Sequence, residues 1–183
     1  MSCEDAKPRL IILSDMWGRE QSWWMDYYLV HLRTVFEIIY YDCCELGEID
    51  ITACSENQLH HQFVNGGMQR AVSNLLQKEK GRVVVLAFSM GGVIAWKACL
   101  AGLNAESLFA VSATRLRYET EKPTAVIELF YGENDRYKPD NNWFLELNIE
   151  RRVLAEMDHV LYQKTDFATM LSERIVSLPT KER

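Results

Sequence analysis

Val83-Val84-Val85-Leu86-Ala87-Phe88-Ser89-Met90-Gly91-Gly92-Val93-Ile94-Ala95-Trp96 decides the fold of this chain. Residues 83–88 are an unbroken apolar run, the signature of a strand buried on both faces. Residues 92–101 continue as an apolar helix that Gly102 ends. Between them Ser89 sits on a sharp turn, in the pattern Ala-x-Ser-x-Gly. Such a turn forces its serine into a strained backbone conformation, so the positions two before and two after it pack closely and tolerate little side chain. A serine there is exposed at the carboxyl edge of the strand, with the positive end of a helix behind it. Ala or Gly, Ser and Gly at this spacing arise by chance roughly 0.1 times in a chain this long, so the flanking sequence carries the decision.

On the amino-terminal side, Arg9 to Ser14 reads as a first strand, followed by a polar loop, Asp15-Met16-Trp17-Gly18-Arg19-Glu20. Trp23 to Leu32 suits a helix, with Trp24, Tyr28 and His31 or Leu32 at spacings of three and four. Phe36 to Tyr41 is a second strand, and Asp42 to Thr52 reads as irregular. Asn57 to Glu79 has helical periodicity through Leu59, Phe63, Ala71, Leu75 and Leu76, with Gly66-Gly67 as a break or kink. On the carboxyl side, strands are expected at Ser107–Ser112, Ala125–Tyr131 and Arg151–Ala155. Thr165 to Val176 is a closing helix, and Pro179 opens a frayed tail. Strands that alternate with helices predict an α/β fold: a mostly parallel sheet with helices on both sides, three layers in one domain over residues 1–183. Sites in such sheets form at the carboxyl ends of strands, here the loops Ser14–Gly18, Ser89–Gly91 and Gly132–Asp135.

Composition narrows the function. The chain has 183 residues, 48% hydrophobic and 25% charged, with a net charge of −6. An acidic balance argues against nucleic acid as a partner. No apolar run approaches the ~20 residues of a membrane helix. Met1 to Arg9 lacks a basic stretch followed by an apolar core, so no export signal is expected. The five cysteines, Cys3, Cys43, Cys44, Cys54 and Cys99, are odd in number and form no Cys-x-x-Cys pair. A reducing, cytoplasmic setting fits them. His60 and His61 are adjacent, diverge on a helix and have no further ligand at suitable spacing, so no metal site is expected.

Attack by a serine needs a base, a carboxylate to orient that base, and donors for the oxyanion. Asp135 lies in Tyr131-Gly132-Glu133-Asn134-Asp135, directly after the fifth strand. His159 lies in Met157-Asp158-His159-Val160, just after the sixth. Glu133, Asp140 and Asp158 are rival carboxylates. The chain order Ser89, Asp135, His159 is that of the α/β-hydrolase triad.

Over almost its whole length the sequence resembles the α/β-hydrolase superfamily. Ala-Phe-Ser-Met-Gly-Gly resembles its nucleophile elbow, Phe-Tyr-Gly-Glu-Asn-Asp its acid loop, and Met-Asp-His-Val-Leu its histidine loop. Leu-Ile-Ile-Leu-Ser-Asp-Met-Trp-Gly resembles its first strand and oxyanion loop. The resemblance implies Ser89 as nucleophile, His159 as base, Asp135 as orienting acid, and the N–H groups of Met16 and Met90 as the oxyanion hole. It implies a hydrolase of a small or medium acyl ester or thioester, on a small-molecule or carrier-bound substrate, through an acyl-enzyme and without cofactor or metal. Only Ala113 to Pro123 separates the fourth and fifth strands, where many members insert a helical cap. A minimal, lidless esterase or lipase-like member is therefore expected. Ser14-Asp15 stands where the family usually has His-Gly, and an inward aspartate would oppose developing negative charge. That departure keeps a non-catalytic binding protein as the alternative, beside an acyltransferase using the same triad. Trp17 and Phe88 are expected to line an apolar acyl pocket.

Overall fold

The computed structural model describes residues 7–52 and 55–178. Cys3, Cys54 and the tail expected from Pro179 lie outside the described residues. The strands are β1 (Arg9–Leu13), β2 (Glu37–Tyr41), β3 (Val83–Phe88), β4 (Ala105–Val111), β5 (Val126–Gly132) and β6 (Arg151–Leu154). They form one parallel six-stranded sheet in the order β2-β1-β3-β4-β5-β6. Helices cover both faces of the sheet, so β3 at its centre is apolar and buried at every residue, whereas the edge strand β2 is only partly buried.

The helices are α1 (Asp26–Leu32), α2 (Cys43–Gly47), α3 (Glu56–Gln62), α4 (Met68–Lys78), α5 (Met90–Leu100), α6 (Asn141–Glu146) and α7 (Thr165–Val176). α1 and α7 pack on one face, where Trp24, Tyr28 and Leu32 meet Phe88, Phe167 and Leu171. The remaining helices pack on the other, where Leu46, Phe63, Leu75, Ile94 and Trp96 share a core with Val85 and Ala110. α5 is the innermost helix and is apolar around its circumference except at Lys97, which reaches Glu119, as burial between the sheet and its neighbours requires.

The chain runs from β1 outward to β2, then returns to place β3 on the other side of β1. The loops after β1 and β3 consequently leave the sheet toward opposite faces. A crevice opens between them at the carboxyl edge, the position where sheets of this kind bind ligands.

Several local expectations change. Asp42–Thr52 is not wholly irregular, because Asp42 caps the short helix α2 by accepting the N–H groups of Cys44 and Glu45. The helix expected from Trp23 begins as a 3-10 turn, Trp23–Met25, and becomes α-helical only at Asp26. The long helix breaks at the predicted place: Phe63–Gly67 is a kinked segment in which Gly66 takes φ 112°. Helix α6 has no counterpart in the sequence reading. Between β4 and β5 the chain makes a single 3-10 turn, Thr114–Tyr118, and no cap.

Candidate active site

Ser89 joins β3 to α5 with φ 48° and ψ −113°, a conformation rare for any residue but glycine. Strain of this kind costs about 1–3 kcal/mol and persists only where neighbours over-determine it. They do so here. The Ser89 N–H donates to the Val111 carbonyl at 2.8 Å, and the Ser89 carbonyl accepts the Gly92 N–H at 3.1 Å. Gly91 lies so close to the loop after β1 that a Cβ would collide with the Ser14 carbonyl oxygen. Together these contacts lift the hydroxyl to the carboxyl edge of the sheet.

There it meets His159. Ser89 Oγ lies 3.1 Å from His159 Nε2, and His159 Nδ1 lies 2.8 Å from Asp135 Oδ2. A carboxylate can only accept, so Nδ1 carries the proton and the Nε2 lone pair faces the serine hydroxyl. The Asp135 side chain is 1% exposed and that of His159 is 39% exposed, so the acid is shielded while the base opens to solvent. Asp135 Oδ1 also accepts the Tyr137 N–H at 3.1 Å. The rival carboxylates have other partners: Glu133 accepts the Glu156 N–H, Asp140 caps α6 at Trp143, and Asp158 accepts the Val160 N–H.

Two residues outside the triad hold the histidine loop: Ser112, which no motif marks, and Gly132 of the acid loop. Ser112 Oγ donates to the His159 carbonyl at 2.6 Å. Gly132 leaves room for the Met157 and Asp158 carbonyls, which a Cβ would strike.

The loop after β1 is held as firmly. The Asp15 carbonyl accepts the Ser14 hydroxyl at 2.9 Å and the Gly18 N–H at 3.4 Å. In a trans peptide the next N–H points the opposite way, so these bonds orient the N–H of Met16. That N–H has no hydrogen-bond partner among the described residues. Cys44 Sγ contacts the Met16 carbonyl at 3.2 Å, and Cys43 donates its N–H to Ser14 Oγ at 2.9 Å. The start of α2, unforeseen in the sequence, thus braces this loop. Met90 opens α5, whose first N–H groups have no intrahelical acceptor, and no side chain caps that end.

Asp15 is buried at 2% exposure. Its Oδ1 accepts the Trp17 N–H at 2.9 Å, a turn closed by the side chain, and its Oδ2 accepts the Tyr162 hydroxyl at 3.1 Å. Burial raises its pKa; the two hydrogen bonds and the nearby His159 act against that rise.

Phe88 does not line a pocket. It is fully buried against Trp24, Tyr28 and Tyr162, at ring-centroid distances of 4.7, 5.0 and 5.5 Å. As the last residue of a strand covered on both faces, it points into the core that α1 and α7 cover. Trp17 is 39% exposed and borders a groove of about 450 Å³ with Cys44, Glu45, Ile49, Ile51 and Leu59.

The architecture is similar to that of several solved proteins. One from Thermoplasma acidophilum, described as a CIB-like hydrolase, superposes with a TM-score of 0.65 at 16% identity, over 97% of this chain and 90% of that one. A Xanthomonas campestris protein assigned to the α/β superfamily of hydrolases gives 0.60 at 18% identity, over 94% and 100%. Est1E from Butyrivibrio proteoclasticus, solved with ferulic acid bound, gives 0.63 at 10% identity, over 93% and 88%. No family model and no curated protein matches the sequence. At these identities the likeness establishes the fold. Among the described residues no helix is long and apolar enough to cross a membrane.

Proposed function

We propose that this chain, whose fold is that of the α/β-hydrolases, is a serine hydrolase of carboxylic esters or thioesters with a small or medium acyl group. The observation that carries the reading is the unbroken Asp135–His159–Ser89 hydrogen-bond chain, ending on a serine in a strained turn. Ser89 Oγ attacks the carbonyl carbon while His159 Nε2 takes its proton. Asp135 holds the ring in the required tautomer and stabilises the imidazolium. The N–H groups of Met16 and Met90 receive the oxyanion. His159 then returns the proton to the leaving alcohol or thiol. Water, activated by the same base, releases the acid from the acyl-enzyme. Without a cap over the carboxyl edge the site admits an acyl group free or attached to a carrier.

A fluorophosphonate probe tests this. Covalent labelling of Ser89 is expected, with none in Ser89→Ala or His159→Ala. A wild-type protein that neither labels nor cleaves an activated ester would overturn the proposal. That outcome would favour the second reading, a binding protein on the same fold, for which the buried Asp15 carboxylate beside the oxyanion loop is the supporting observation. Transfer of the acyl group to an added alcohol or amine in preference to water would instead identify an acyltransferase.

A further inference from the structure

Four arginines of the described chain are half-withdrawn from solvent: Arg9, Arg115, Arg117 and Arg152. Arg9 pairs with Glu79, and Arg152 with Glu128 and Glu150. Arg115 and Arg117 have no carboxylate partner among the described residues. They lie two residues apart on the 3-10 turn that leaves β4, and they share the exposed ring of Tyr118, at 5.1 and 4.3 Å from its centroid. Both also lie close to His60 on α3, where burial first and then these two guanidinium groups lower the imidazole pKa. Like charges held together and partly desolvated repel one another, and a protein with a net charge of −6 has carboxylates to spare for such a place.

The turn is not remote from the triad. It starts two residues after Ser112, which holds the His159 carbonyl. Arg117 Nη1 donates to the Tyr137 carbonyl at 3.1 Å, two residues after Asp135. The guanidinium thus spans the loops that carry Ser112 and Asp135, on the edge where His159 opens to solvent.

We infer that Arg115 and Arg117, with the exposed rings of Tyr118 and Tyr137, form an anion subsite at the rim of the Ser89 site, receiving a carboxylate or phosphate that the substrate carries away from its scissile carbonyl. The inference rests on the hydrolase reading and deepens it. Arg115 has the freer role: its guanidinium lies over the Tyr118 ring and has no hydrogen-bond or ion-pair partner among the described residues, which leaves its fork for a planar or tetrahedral oxyanion. Arg117, tied to the Thr114 and Tyr137 carbonyls, supplies charge and keeps the turn in place.

The experiment uses the full chain and two activated esters of equal length, p-nitrophenyl butyrate and mono-p-nitrophenyl succinate. Cleavage of the neutral ester, abolished in Ser89→Ala, tests the catalytic reading alone. The subsite predicts that kcat/KM favours the succinate ester by about tenfold or more, the scale of one charge-assisted hydrogen bond. It predicts that Arg115→Gln removes most of that preference through KM. Arg33→Gln removes the same charge from the exposed residue that follows α1, at the amino edge of the sheet, and leaves the preference intact. Competitive inhibition by succinate alone assigns a carboxylate, and by inorganic phosphate as well assigns a phosphate, provided Arg115→Gln weakens it. An enzyme that cleaves both esters with equal efficiency, or whose preference survives Arg115→Gln, overturns the subsite while leaving the triad standing.

Discussion

The Tyr162 hydroxyl donates to Asp15 Oδ2 across 3.1 Å, joining the loop that bears His159 to the loop that bears Met16. Burial raises the Asp15 pKa, which means that the folded protein favours the neutral carboxyl relative to the unfolded chain. The sign of the linkage follows. Any advantage of the neutral form is complete below the unfolded value of 3.8 and is lost as pH rises through the higher folded value. Asp15→Asn keeps an acceptor for the Trp17 N–H and cannot ionise. Its melting temperature should exceed that of the wild type near pH 8, with a gap that narrows toward zero as pH falls below 4. Thermal melts across that range check this, and a gap that widens toward acid would mean that Tyr162 and His159 hold Asp15 as a stabilised anion.

Tyr162 should matter in proportion to the charge it meets. Its hydroxyl lies in the same buried environment, where burial and the Asp15 carboxylate both push its pKa up, so it serves as a donor. Tyr162→Phe leaves the Asp15 carboxyl group with the Trp17 N–H as its remaining hydrogen bond among the described residues and should cost about 1–3 kcal/mol in urea unfolding. In an Asp15→Asn background the same change should cost less, because a neutral amide is cheaper to leave underbonded. Equal costs in the two backgrounds would assign the loss to ring packing against Trp24 and Phe88.

Asp135 and Asp158 can be told apart by kinetics. Asp135→Asn keeps the volume but takes away the acceptor that selects the Nδ1–H tautomer, and kcat should fall by about 10⁴ with little change in KM. Asp158 is exposed, and among the described residues its carboxylate accepts the Val160 N–H alone, so Asp158→Asn should stay within a few-fold of the wild type. Steady-state rates on one activated ester decide the matter, and a comparable loss in both would make Asp158 the orienting acid.

What could be read from the sequence follows from how far each signal reaches. β3, Ser89 and α5 are legible because the constraint is local: an apolar run, small residues at a strained turn, and a helix apolar but for Lys97. α7 falls at its expected limits for the same reason, a single amphipathic stretch. α2 escaped because five residues are too few for periodicity, although Asp42 before Cys43 was a usable capping signal. Phe88 is expected in a pocket, but as the last residue of β3 it turns its ring into the core under α1 and α7, and its position beside Ser89 in the sequence does not tell which face it takes. The Ser112 and Tyr162 contacts span 47 and 147 residues, and no pattern in one sequence encodes such pairs.

The close approach of α5 to the loop after β1 gives the last prediction. Gly91 has ordinary helical dihedrals, so its requirement for glycine comes from contact alone. A methyl group there meets the Ser14 carbonyl and the Leu13 side chain, both wholly buried, and neither can retreat without shifting the loop that presents the Met16 N–H. Gly91→Ala should therefore destabilise the fold by about 1–3 kcal/mol. It should lower kcat by more than the loss of folded protein explains, because the oxyanion donors move apart. Gly81→Ala is the matched control: the nearest atom to its Cβ is the end of the flexible Arg9 side chain at 3.8 Å, and rates should hold. Urea melts together with ester kinetics on the folded fraction separate the two effects. A Gly91→Ala protein that is destabilised but has wild-type kcat per folded molecule would show that the position of this loop does not govern the chemistry at Ser89.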